Sequence, residues 1–223
     1  MKTSFLTILL AIASMVSPLF AQTADTSPAN SPAAASGGSA TAATGQPNEA
    51  EMMAKMMELS KLNENHKLLA SLAGTWGYTV KMWMAPGAPP SESKGMAVRK
   101  PIMNGRYFTM DVSGKMQMPG PDGKKKDMEF KGTSIEGYDN VKQKFVSTWA
   151  DNMGTGIMTS EGTYDPATKT FTYTGEMEMM PGTKSKVREV VKIIDPKHHT
   201  FEFYEDRGGQ EAKTMEISYT RKW

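Results

Sequence analysis

The chain has 223 residues, 39% of them hydrophobic and 22% charged, with a formal net charge of +2 and no cysteine. So even a charge balance gives no basis for a nucleic acid or an anionic membrane surface as partner. Without cysteine, disulfides and thiolate metal sites are excluded, a cysteine-linked lipid anchor is not expected, and an exported form must be held by its core alone.

In chain order, the N-terminus comes first. Lys2 is followed by the apolar run Phe5–Val16, too short to span a bilayer comfortably, and then by Pro18-Leu19-Phe20-Ala21. This pattern predicts a signal peptide over residues 1–21, cleaved after Ala21. The mature protein is then secreted or periplasmic and has no membrane span. Losing Lys2 takes the net charge from +2 to +1. Residues 22–47 are Ala, Ser, Thr, Gly and Pro with almost no large apolar side chain, the composition of a disordered linker. Residues 48–62 carry Met52, Met53, Met56, Met57 and Leu59 at three- and four-residue spacings, which predicts an amphipathic helix. A shorter helix is expected from Glu64 to Ala73, with Asn63 as cap, Gly74 as stop, and Leu68, Leu69 and Leu72 facing the body of the protein.

From Thr75 onward the hydrophobic period becomes two. Strands are expected at Thr75–Met84, Lys94–Met103, Arg106–Met118, Asp127–Tyr138 and Lys142–Ala150. Further strands follow at Gly156–Tyr164, Lys169–Met179, Lys184–Ile194, His199–Asp206 and Glu211–Thr220. Asn104-Gly105 and Asp139-Asn140 read as tight hairpin turns, and Asp165-Pro166, Pro181-Gly182, Asp195-Pro196 and Gly208-Gly209 as further turns. About ten short strands with hairpin-length connections predict an all-β, antiparallel up-and-down barrel, preceded by one or two helices. Closure removes the edges of such a meander, and a barrel of this size encloses space for a small ligand.

An ordered set of motifs adds to this. It comprises His66-x-x-Leu69-x-x-Leu72-x-Gly74-x-Trp76, Asn104-Gly105-Arg106-Tyr107, Gly137-Tyr138-Asp139, Trp149-x-Asp151, Glu161-Gly162-x-Tyr164-Asp165 and Tyr219-x-Arg221. Over residues 64–223 this set resembles the bacterial family catalogued as domain of unknown function 1579, itself similar to the calycin, or lipocalin-like, barrels. The resemblance implies a barrel in which Arg221 packs over Trp76 at a closed end. It implies no activity.

Candidate ligand-binding residues are His66, Trp76, Arg106, Tyr138, Trp149, Asp151, Tyr164 and Arg188. Arginine binds a carboxylate through two hydrogen bonds, the aromatic rings offer a stacking surface, and a helix-borne imidazole can reach a barrel mouth. These residues also have an architectural explanation. Asp139 and Asp165 cap turns, the rings fill the core, and His66 caps a neighbouring strand. His198 and His199 follow Asp195-Pro196 and point to opposite faces, so they are read as a solvated turn and not as ligands of one metal. Among 20 methionines, Met82 and Met84, Met116 and Met118, and Met177 and Met179 are spaced to share a strand face. Such thioether pairs suit Cu(I), although methionine also fills irregular apolar space. Phosphate loops, nucleophile elbows and His-Glu-x-x-His spacing are absent, so no enzyme is expected. Three readings remain: a barrel holding a small apolar or amphipathic ligand, a packed barrel docking through its methionine-rich helix, and a Cu(I) binder.

Overall fold

A computed structural model describes residues 48–85, 87–119 and 124–222, so the expected signal peptide and linker lie outside the described residues. Two helices come first, α1 (Glu49–Leu59) and α2 (Glu64–Ser71), each started by an asparagine. Asn48 accepts the Glu51 N–H at 2.9 Å while the Glu51 carboxylate accepts the Asn48 N–H at 3.2 Å. In α2 the reciprocal partner of Asn63 is His66, whose Nδ1 accepts the Asn63 N–H at 3.2 Å. Both arrangements satisfy amide groups that a helix start leaves without partners. No residue of α1 is buried, whereas α2 buries His66 and Leu69.

Ten strands follow: β1 (Gly74–Met82), β2 (Ser91–Ile102), β3 (Tyr107–Pro119), β4 (Lys125–Asp139), β5 (Lys144–Asp151), β6 (Met158–Asp165), β7 (Thr170–Met180), β8 (Thr183–Asp195), β9 (His198–Asp206) and β10 (Glu211–Arg221). Consecutive strands pair antiparallel, and β1 also pairs with β10, which closes the barrel. The up-and-down barrel predicted from the turn spacing is the observed fold. Glycines on the inner wall give space to aromatic rings. A Cβ on Gly132 would lie 2.4 Å from the Trp149 ring, and one on Gly95 would lie 2.3 Å from the Tyr78 hydroxyl.

Two turns differ from expectation. Met103–Gly105 forms a 3₁₀ turn in which Met103, Asn104 and Gly105 all have positive φ, wider than a two-residue hairpin. At the β4–β5 turn, Asp139 Oδ1 accepts the amides of Val141 and Lys142, and positive φ falls on Gln143 instead of the Asp-Asn pair. Asn140 is thereby free for another task. Its Nδ2 donates to the carbonyls of Leu59 and Lys61 at 2.7 and 2.8 Å, and its Oδ1 accepts from Asn63 at 2.7 Å. This turn holds the α1–α2 connection against the barrel.

Helix α2 closes one end. Leu69 and Leu72 pack with Phe108, Phe145, Phe171 and Tyr173 in one buried cluster. A second cluster gathers Trp76, Tyr78, Ala97, Val112 and Tyr219. Where α2 ends, Trp76 Nε1 donates to the Leu72 carbonyl at 3.0 Å. The Arg221 guanidinium donates to Ser71 and Ala73 at 2.7 and 2.6 Å and sits 4.2 Å over the Trp76 ring. The contact implied by the family resemblance is therefore present. Its chemistry is that of a helix C-cap: a cation supplying donors to the last carbonyls.

Candidate ligand-binding site

Side chains of a strand alternate between the two faces, so register decides which groups share the barrel interior. Arg99 on β2 and Glu136 on β4 both point inward. Arg99 Nη2 lies 2.8 Å from Glu136 Oε1, with side chains only 7% and 11% exposed. Ser134 Oγ lies 3.5 Å from the same carboxylate oxygen, and the Met110 sulfur lies 3.7 Å from Arg99 Nη2. Among the described residues the guanidinium has no other hydrogen-bond partner. A buried ion pair of this kind is no more stabilising than a well-packed apolar pair, so stability alone does not account for it.

Around this pair lie Glu189, Tyr173, His199 and Tyr219, all buried. Burial, with the nearby Glu136 charge adding to it, pushes the Glu189 carboxyl up to about 7. The Ser160 hydroxyl lies close enough to hold that rise back, yet neither Ser160 Oγ nor Glu189 Oε1 completes a hydrogen bond of good geometry. Burial, and then the charges of Arg99 and Arg221, lower His199 to about 3, so its ring is neutral. That ring stacks on Tyr219 at 4.4 Å and meets Trp76 edge-on at 4.3 Å, which leaves Nδ1 without a partner. The Tyr173 and Tyr219 hydroxyls are held well above the ordinary phenol range, chiefly by burial.

The wall facing this polar centre is built from small residues. Glu136, Ser147, Ser160 and Gly175 are successive partners across β4, β5, β6 and β7. Ser147 and Gly175 keep accessible surface although they stand on the inner face. On the outer side of the same β5–β6 seam an open recess of about 350 Å³ is lined by the outward-facing Val146, Thr148, Thr159, Glu161 and Thr174, with Ser147 and Ser160 at its floor. Towards the end opposite α2, Trp149 faces Met158 across the seam, stacks on Phe130 at 6.3 Å and donates from Nε1 to Asp151 at 2.9 Å.

The candidates named from sequence fall into separate places. His66 lies on the buried face of α2, edge-on to Tyr138 at 5.9 Å, and burial followed by the Arg106 charge lowers its pKa. It caps its own helix and not a neighbouring strand, and it does not reach the polar centre. Tyr138 and Tyr164 pack at the α2 end, Tyr164 against Phe171 at 4.6 Å. Trp149 and Asp151 stand on the inner face at the far end. Trp76 belongs to the α2 seal.

Several expectations are corrected. Arg106 is exposed and donates to the Ser60 carbonyl, so it secures the helices and stands apart from the polar centre. Arg188 points outward, paired with Glu211 at 2.8 and 2.6 Å and lying 3.9 Å over the Tyr204 ring. Its neighbour Glu189 is the inward residue. His199 is a buried member of β9 and not part of a solvated turn. Met84 lies beyond β1 at 68% exposure, so Met82 and Met84 share no strand face; Met116 and Met118 do, and the Met179 side chain lies outside the described set.

Arg99, Glu136, Ser160, Tyr173, Glu189 and His199 were missed. The available signal was parity. Each sits two residues from an apolar or aromatic residue that faces inward, as in Ala97-x-Arg99, Glu136-x-Tyr138 and Glu189-x-Val191.

Among solved structures, Rv2717c from M. tuberculosis is similar over 73% of this chain and 100% of its own, with a TM-score of 0.50 and 15% identity, a likeness of fold. A protein with unknown function from the DUF3598 family of Nostoc punctiforme covers 72% of this chain and 100% of its own at 7% identity and a TM-score of 0.24. No curated protein matches. The model of the family described as "Protein of unknown function (DUF1579)" matches residues 61–221, from just before α2 to the arginine that seals it, and the chain belongs to that family.

Proposed function

We propose that the protein is an exported carrier of a small amphipathic ligand bound inside its barrel. The ligand's polar end lies at Arg99, Glu136, Glu189 and Ser160, and its apolar part extends past Trp149 and Met158. The observation that carries this reading is the pair of buried atoms Ser160 Oγ and Glu189 Oε1, which approach each other without completing a hydrogen bond of good geometry, beside a wall of small side chains. A buried polar atom without a partner costs about 1–3 kcal/mol, and a ligand supplying the missing hydrogen bonds recovers that cost. Arg99 and Glu136 balance each other, and Glu189 is poised near neutrality. An uncharged hydrogen-bonding end, a hydroxyl or an amide, suits that balance better than a free ion.

Export rests on the apolar run after Lys2, and N-terminal sequencing of the protein recovered outside the cytoplasm is expected to begin at Gln22. Native mass spectrometry of the protein from its own host, compared with the denatured mass, tests the carrier reading. An organic mass released on denaturation is the expected result. Equal masses, together with no protection of Tyr173 or Glu189 by any ligand fraction extracted from the host, would overturn it. A second reading, a docking module, rests on α1, where Met52, Met53, Met56 and Met57 are between 52% and 65% exposed. Ligand release that persists after deletion of residues 49–59 favours the carrier over the docking module.

A further inference from the structure

Between Gly74 and the C-terminus the chain contains no leucine, although α2 fills its end of the barrel with Leu68, Leu69 and Leu72. Where the barrel takes a long aliphatic side chain that is not β-branched, it takes methionine. Packing does not require this, because leucine and methionine exchange in cores at little cost. Strand propensity does not require it either, since β-branched residues are better strand formers.

Register brings three of these methionines together. β2 pairs with β3 only as far as Lys115, and β5 pairs with β4 only from Gly132, so Met116–Pro119 and Lys125–Met128 pair with each other alone. Met116 lies directly opposite Met128, and Met118 follows two residues later on the same face. Cβ atoms directly opposite are about 4.5–5.5 Å apart, and residues two apart along a strand about 6.5 Å, within reach of three long thioether side chains. All three are half-buried, and the intervening Lys115, Gln117, Asp127 and Glu129 are exposed. Gln117 Nε2 donates to Asp127 Oδ1 at 3.1 Å on the opposite face, which fixes the register. Neither buried apolar cluster of the barrel includes these methionines.

We propose that Met116, Met118 and Met128 form a binding site for a soft monovalent cation, Cu(I), on the inner face of the β3–β4 extension. Thioether sulfur is a neutral, soft donor that accepts Cu(I) and discriminates against Zn(II) and other harder ions. No cysteine competes for the ion, and among the described residues no group of three His, Asp or Glu offers a harder site. From sequence spacing only Met116 and Met118 could be paired. The cross-strand partner Met128 completes a three-sulfur set. The site is separate from the polar centre around Arg99, so it stands or falls independently of the carrier reading.

The test is an anaerobic Cu(I) titration of the purified full chain against a colorimetric Cu(I) chelator. Zn(II) is the parallel probe, and NMR of 13C-methyl-labelled methionine reads which methyls respond. The wild-type chain is expected to withhold one Cu(I) from the chelator, with the methyl signals of Met116, Met118 and Met128 shifting together. Met118→Leu combined with Met128→Leu abolishes that step at unchanged Tm, whereas replacing the α1 methionines by leucine leaves it intact. A wild-type chain that withholds no Cu(I), equal withholding by the double variant, or equal affinity for Zn(II) overturns the proposal. If the double variant fails to fold, the wild-type methyl shifts decide: shifts confined to other methionines reject the site.

Discussion

Arg99 and Glu136 form an ion pair that their surroundings isolate from water. Glu136→Gln keeps the shape but leaves the guanidinium as an uncompensated buried charge, and it is expected to cost about 3–5 kcal/mol in chemical denaturation. Replacing both residues with apolar side chains of similar volume should recover most of that loss. A double variant as unstable as the single one would show that the pair is needed for the fold. Glu189 gives a pH signature with a definite sign. Its folded pKa is raised from 4.5 to about 7, so the folded state binds this proton more tightly than the unfolded chain. Stability from this group is intact below pH 4.5 and is lost as pH rises through 7, by about 3 kcal/mol in all. His199, lowered from 6.5 to about 3, works in the opposite direction, losing stability as pH falls through that range. Comparing wild type with Glu189→Gln at each pH isolates the first effect. The advantage of the variant should grow between pH 4.5 and 7 and be flat above 8. At this scale the sequence was least legible. Arg188 and Glu189 are adjacent, and only the strand's phase, one residue either way, decides which of them faces the interior.

At the scale of elements, α2 and its seal are the clearest case. Leu68, Leu69, Leu72 and the Gly74 stop were readable as a short helix facing the body because helical spacing and capping leave local marks. What spacing could not supply is how the helix end is satisfied across the chain, by a residue some 150 positions away. Arg221→Ala removes hydrogen bonds to the Ser71, Ala73 and Pro196 carbonyls together with the ring contact on Trp76. It is expected to cost about 2–4 kcal/mol and to speed hydrogen exchange of the Trp76 indole. Arg221→Lys keeps the charge without the planar fork and should recover less than half of the loss. Equal stability of the lysine variant would mean that charge alone holds the helix. The hairpins were legible for the same local reason as the helix, since turn residues sit between runs of alternating character. The turn details were not. Asn140 gave up the expected turn geometry because its amide holds Leu59, Lys61 and Asn63, partners that only the folded chain brings near.

At the scale of the whole molecule, closure followed from strand number and hairpin-length connections, and the pairing of β1 with β10 realises it. Whether the interior is full or hollow could not be read from composition, because aromatic side chains and inward glycines cancel in pairs. Tyr78 lies across Gly95 and Gly114, and Trp149 across Gly132, so neither the large nor the small residue by itself marks empty space. The exception is the run Ser147, Ser160 and Gly175, where small residues meet other small residues instead of a ring. Filling that wall therefore distinguishes a hollow barrel from a packed one. Ser147→Leu adds bulk at an inward position that still has accessible surface. In a packed barrel it would force neighbouring side chains from their rotamers and cost about 1–3 kcal/mol. In a hollow one the leucine enters existing space, where burying its apolar surface offsets the loss of the hydroxyl, and Tm should stay level or rise. The same variant should then bring down less bound ligand when recovered from its host. Lower stability with undiminished ligand would place the ligand elsewhere and the barrel among the packed ones.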